Sequence, residues 1–263
     1  VYGIEIHDIL ARICKINLLL HHDGHTNIEG DKSCLDTEFT KERLKLGKEN
    51  FNVVVGNPPF GDTIKEGDED QLGKSSLEDF EVSAGRSQIP SEHIIVEKSI
   101  KMLKDDGLLG LVLPDGVFNN QGELSNCPLL RNYLVKQGRV LAVVSLPDYA
   151  FRKSGAQNKT SILFFKKFNY DQRTAFENAY DAQIANGASD EQAIIAALSA
   201  NPYRVFMAEA NFIGYSSTGA LMEKNDLYRG SAGGHLDDDQ SETILGEYRR
   251  FCVDPENYIP ALN

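Results

Sequence analysis

The sequence has no apolar run approaching the roughly 20 residues of a membrane-spanning helix, so it offers no helical span and no membrane partner. Cysteine is sparse: Cys14, Cys34, Cys127 and Cys252 lie far apart and form no CxxC pair. That spacing argues against a disulfide framework and against a structural zinc site, and it suits a reducing cytoplasm. Basic charge is in deficit, with 27 Lys and Arg against 39 Asp and Glu, a formal net charge of −12. Such a chain grips a phosphate backbone poorly unless its cations are segregated or a basic partner supplies the contact. Repeats and low-complexity tracts are absent. The remainder, 41% hydrophobic and 25% charged over 263 residues, is ordinary for a globular core with an appendage. The opening at Val1, inside a strand-like run, reads as a fragment of a longer chain.

What is present alternates. "VYGIEI" is a strand covered on both faces, ending at Glu5. "HDILARICKINLLLHH" turns to helical period through Ile9, Ile13, Ile16 and Leu20, with Asp8 as cap and Gly24 as stop. "TNIEGD" is a short strand ending at Asp31, and "FNVVVG" a strand ending at Gly56. Gly61 to Pro90 is polar and aperiodic, which predicts a loop that is mobile or functional. "SEHIIVEKSIKMLKDDG" is a helix capped by Ser91 and stopped by Gly107. "LLGLVLP", "RVLAVVSLP" and "TSILFFKK" are strands, and "CPLLRNYLVKQG" a helix with Pro128 in its first turn. Alternation from Val1 to Leu146 predicts an α/β doubly wound, Rossmann-like sheet, parallel, with helices on both faces. Ligands of such sheets bind beyond the carboxyl ends of the strands, where Glu5, Asp31 and Asn57 all stand. After Lys167 two alanine-rich helices, a hairpin within "YRVFMAEANFIGYSSTG" and a flexible "GSAGGHLDDDQ" are expected. The expected domains are 1–168, catalytic, and 169–263, an appendage. "HHDGH" (His21 to His25) reads as a helix end and turn, with no metal site.

In "FNVVVGNPPFGD" a buried-type strand runs into a glycine, an amide, two prolines and an aromatic ring. A plain turn needs none of that order. Together with "GIEI", "EGDKS", "GLLGLVLP" and "LPDYAFRKSGAQNKTSILFFKK", the stretch resembles the S-adenosylmethionine-dependent amino-methyltransferases. More narrowly, it resembles the methylation subunit of type I restriction-modification systems and its N6-adenine DNA methylase relatives. The likeness covers Val1 to Lys167 and, more weakly, "VFMAEANFIGY".

The resemblance implies transfer of a methyl group from S-adenosyl-L-methionine to the exocyclic amine of an adenine flipped out of double-stranded DNA. That amine is a poor nucleophile because its lone pair is delocalised into the ring. Two acceptors aimed at its N–H bonds, the Asn57 side-chain oxygen and the Pro58 carbonyl, favour a pyramidal nitrogen in the transition state. Prolines stiffen that backbone and offer no competing N–H. Phe60 gives a stacking face, and Pro59 and Phe151 border the base. On the cofactor side the resemblance gives Glu5 the ribose hydroxyls, Ile6 the adenine face and Asp31 the adenine amino group, with Lys32 and Ser33 lining the pocket and Asn57 closing it. It also implies a specificity subunit or recognition domain and a possible restriction subunit, in keeping with the acidic net charge. The Gly61–Pro90 loop is expected to order over the flipped base as a lid.

Two other readings stay open: a protein glutamine methyltransferase, whose Asn-Pro-Pro is usually followed by tyrosine, and a non-catalytic methyltransferase-like assembly module. The family's glycine-rich loop, expected before "GIEI", is absent, and "GSAGGH" has no apolar strand before it. The 263-residue chain alone is therefore expected to be inactive and to bind S-adenosylmethionine with less than full affinity by isothermal titration, and tight stoichiometric binding would refute this.

Overall fold

The computed structural model describes residues 1–22, 24–43, 51–152, 158–231 and 235–261. Residues 153–157 of the "AFRKSGAQNKTS" stretch, 232–234 of the expected flexible loop and 23 of the histidine-rich turn lie outside these. The chain forms two compact units, Val1–Val54 with Pro58–Asp105, and Val55–Asn57 with Asp106–Asn263.

The first unit opens with β1 (Gly3–Glu5), α1 (Asp8–Leu20) and β2 (Ile28–Gly30). β1 and β2 pair in parallel, Gly3 opposite Ile28 and Glu5 opposite Gly30. A Cβ on Gly30 would fall 2.8 Å from the Ala11 methyl, so glycine is what lets α1 lie against β2 there. Ala11 is the buried residue of this helix. The expected apolar face points outward instead: Ile9, Ile13, Ile16 and Leu20 are 56–73% exposed. Asp8 is not the cap either; His7 holds that position and Asp8 pairs with Arg12 one turn on.

After α2 (Thr37–Arg43), β3 (Phe51–Gly56) leads into the segment expected to be a loop. That segment is folded. β4 (Thr63–Lys65) pairs antiparallel with β5 (Gln88–Pro90), closing a stem whose tip holds α3 (Glu69–Leu72) and two 3-10 turns. Ile64, Leu72, Leu77, Phe80, Val82 and Ile89 are buried in it. Its order comes from side chain to backbone bonds rather than from one ladder, which is why no period shows. Glu97 of α4 (Ser91–Lys101), fully buried, accepts the amides of Glu81 and Val82 at 3.0 and 2.9 Å and pairs with Lys101. α4 ends six residues before the expected stop at Gly107. The Phe51 amide takes the Met102 carbonyl, and β6 (Leu103–Pro114) starts at once.

In the second unit α5 (Gly116–Asn119) and α6 (Cys127–Gln137) precede β7 (Gly138–Ser145) and β8 (Thr160–Lys167). Beyond them come α7 (Tyr170–Ala185), α8 (Asp190–Ala200), β9 (Phe206–Glu209), β10 (Ile213–Tyr215), β11 (Leu221–Asn225) and α9 (Ile244–Val253). The five-stranded sheet has the order β3-β6-β8-β7-β9. It is mixed rather than parallel, because β8 lies antiparallel to both β6 and β7. The α/β class holds. The capping box at Ser189 and Gln192 forms as expected. The expected hairpin does not form where read: β9 joins the sheet in parallel beside β7, and the hairpin is β10–β11. α9, unforeseen, is capped by Thr243 and buries Phe251 against Phe206.

Glu97→Leu would leave the buried Val82 amide and the partly buried Glu81 amide without an acceptor and is expected to destabilise the fold by about 2–4 kcal/mol. Denaturant unfolding checks the loss, and limited proteolysis should move its first cut into 61–90.

Candidate active site

The site residues fall into three groups. Glu5 ends β1 and is half-buried, its Oε1 accepting the His7 amide at 2.9 Å, with Ile6 half-buried beside it. Since Glu5 stands opposite Gly30, Asp31 emerges from the neighbouring strand at the same end. Asp31 has a left-handed backbone, φ 58°, which turns the chain sharply out of β2 and leaves the residue exposed. Lys32 is exposed with its Nζ 5.7 Å above the Phe39 ring, and the Ser33 hydroxyl is used locally, accepting the Leu35 amide at 3.1 Å. Thus two carboxylates share one end of a parallel strand pair, an acceptor set suited to hydroxyl and amino groups.

The second group is the motif after β3. Asn57 is exposed, Pro58 buried, Pro59 exposed and Phe60 half-buried. Among the described residues, neither the Asn57 side chain nor the Pro58 carbonyl is taken up by another group. The chain beyond is clamped to the start of α4. The Ser91 hydroxyl donates to the Pro59 carbonyl at 3.2 Å and the Ser91 amide to the Asp62 carbonyl at 2.9 Å. The Glu92 carboxyl accepts the Gly61 amide. Burial pushes that carboxyl above the usual carboxylate range, as does the nearby Asp62 charge, against the bonds it accepts. Gly61 itself has φ 82°, the left-handed turn that swings the chain into β4. Ser91 and Glu92 escaped the sequence reading because they lie some thirty residues from the motif. Only the β4–β5 stem brings them back.

Phe151, the third, belongs to the second unit. It packs half-buried against the cluster of Ala142, Val144, Leu146 and Phe206.

Near the first group lies a lysine that sequence reading also missed. Lys98 is 6% exposed and donates to the hydroxyls of Thr40 at 2.8 Å and Thr37 at 3.3 Å. Burial lowers its pKa to about 8. Burial in turn raises the Cys34 thiol, against the Lys98 charge. Between about pH 8 and 10.5 the unfolded chain keeps a proton that folded Lys98 has shed, so stability rises with pH across that window. The gain is of order 2–3 kcal/mol. Thermal melts over that range should show the rise in the wild type relative to Lys98→Met, and parallel curves would contradict it.

The sequence pattern of the family described as N-6 DNA Methylase matches residues 1–198. The methylase subunit of the type I restriction enzyme MpnII from Mycoplasma pneumoniae is 29% identical over 169 residues, covering 63% of this chain and 30% of the relative. The EcoEI methylase subunit from Escherichia coli is 27% identical, covering 64% and 30%. Among solved structures, the methyltransferase subunit of a type I restriction-modification system from Streptococcus thermophilus is 21% identical. It covers 64% of this chain and 34% of that one, at a TM-score of 0.48. The chain spans about three tenths of the length of the curated relatives it matches. With the family pattern running from Val1 through the strand-end carboxylates and the Asn57–Phe60 motif to α8, the chain belongs to the N-6 DNA methylase family.

Proposed function

We propose that this chain carries the catalytic centre of an adenine-specific DNA methyltransferase, the modification subunit of a restriction-modification system. The observation that carries the reading is the state of the motif after β3. Among the described residues, an exposed amide side chain and a carbonyl that no other group takes up belong to consecutive residues of a backbone stiffened by two prolines. Asn57 Oδ1 and the Pro58 carbonyl each accept one N–H of the adenine amine, holding the nitrogen pyramidal as its lone pair turns to the methyl donor. Phe60 stacks on the flipped base, and Pro59 and Phe151 border it.

Glu5 and Asp31 fit S-adenosyl-L-methionine by their chemistry, two carboxylates at one strand end for its ribose hydroxyls and adenine amino group, with Ile6 and Lys32 beside them. When bound, it supplies an electrophilic sulfonium methyl. Residues 1–168 hold this chemistry, and 169–263 form an appendage that lends β9 to the sheet. The acidic net charge fits an enzyme whose grip on double-stranded DNA comes largely from a specificity subunit or recognition domain, with a restriction subunit as a further partner, in the cytoplasm.

In the full-length enzyme, Asn57→Ala is expected to lower methyl transfer to duplex DNA by at least about a hundredfold. Incorporation of labelled methyl into unmethylated genomic DNA, alongside a release-factor substrate, measures it. Undiminished transfer in Asn57→Ala would sink the assignment, and transfer to the release factor alone would make the enzyme a glutamine methyltransferase.

A further inference from the structure

Ser91 stands where a helix cap is expected, yet Pro90 holds the cap position and Ser91 is the first residue of α4. Its hydroxyl reaches to the Pro59 carbonyl, while its amide holds the Asp62 carbonyl. Glu92, the next residue, is 8% exposed, and its carboxyl is bonded by its own amide, by the Ser91 side chain and, least, by the Gly61 amide. Its Oε2 is buried without a hydrogen-bond partner. A buried carboxylate oxygen left unpaired costs folding free energy, so stability alone does not account for a glutamate here.

The dihedrals between this clamp and the motif are few. Pro58 and Pro59 have φ fixed by their rings, and the residues before each proline, Asn57 and Pro58, are confined to extended ψ. Holding the Pro59 carbonyl and the Gly61 amide therefore fixes the backbone back to Pro58. We propose that Ser91 and Glu92 are a positioning pair that aims the Pro58 carbonyl at the methyl-accepting amine. The proposal rests on the roles given above to Asn57 and Pro58. Neither Ser91 nor Glu92 touches the substrate in this scheme; both act through the motif backbone.

The test uses the full-length enzyme, S-adenosylmethionine and unmethylated amplified genomic DNA. Ser91→Ala and Glu92→Ala are each expected to lower kcat by about tenfold or more, because small displacements of reacting groups are costly in rate. KM for DNA and the Kd for S-adenosylmethionine should stay within about threefold. Ser91→Thr keeps the hydroxyl and Glu92→Gln keeps the acceptor for Gly61, and both should recover most of the lost kcat. Ser91→Ala removes a single oxygen, so it reads the proposal even where Glu92→Ala does not accumulate as folded protein. Wild-type kcat in the alanine variants, with only a lowered Tm, would overturn the positioning pair. So would equal losses in kcat and cofactor affinity that neither conservative variant repairs. Asn57→Ala is run in parallel: if it stays active, the reading of the motif fails, whereas an inactive Asn57→Ala beside fully active Ser91 and Glu92 variants removes the positioning pair alone.

Discussion

The grip of the first turn of α4 on the chain from Pro59 to Asp62 is the constraint from which the geometry of the site follows. A strand end is normally one of the softer points of a sheet protein, since the chain there leaves its ladder. Here two prolines remove two φ rotations, and three contacts from Ser91 and Glu92 hold what lies beyond. Rigidity at that point matters because hydrogen-bond acceptors assist a transition state only when they need not move to meet it.

The helix that provides this grip is unusual in its electrostatics. α4 is buried over nearly its whole length and carries four buried ionisable side chains: His93, whose pKa burial lowers to about 4, and Glu92, Glu97 and Lys98. Each is accommodated differently. Glu97 accepts two backbone amides and a lysine, the arrangement that best stabilises a buried carboxylate. Lys98 has hydroxyls as its hydrogen-bond partners, and its proton is held weakly. Glu92 has one oxygen engaged and one idle. The helix thus serves as a polar scaffold inside a small unit, fastening the 61–90 excursion on one side and the Thr37–Thr40 turn on another.

Much of the sheet was legible because its strands are apolar and end in glycine or acid, as at Glu5, Gly30 and Gly56. The Asn57–Phe60 motif was legible because no ordinary turn requires that order. Periodicity misled at α1, where Ile9, Ile13, Ile16 and Leu20 keep perfect helical spacing and yet face outward among the described residues. Spacing says which residues share a face; it does not say that something covers that face. The 61–90 segment was illegible for the opposite reason. Its buried residues are irregularly spaced and its backbone is held by Glu66 and Glu97, bonds that leave no repeat in the sequence. β8 was read as a strand, but its direction depends on the connection before it, which composition does not reveal. Ser91 looked like a cap because a serine before an apolar helix usually is one; its true partner lies across a fold that only the β4–β5 pairing creates.

That pairing also separates two kinds of change. With Thr63 opposite Pro90, the excursion leaves and re-enters the unit at one place, like a stem under a leaf. The exposed residues between Lys65 and Gln88, unlike the buried Leu72, Leu77, Phe80 and Val82, can change while the stem keeps its register. A lineage under pressure to alter what it meets at this edge thus has ground on which to vary without moving the stem.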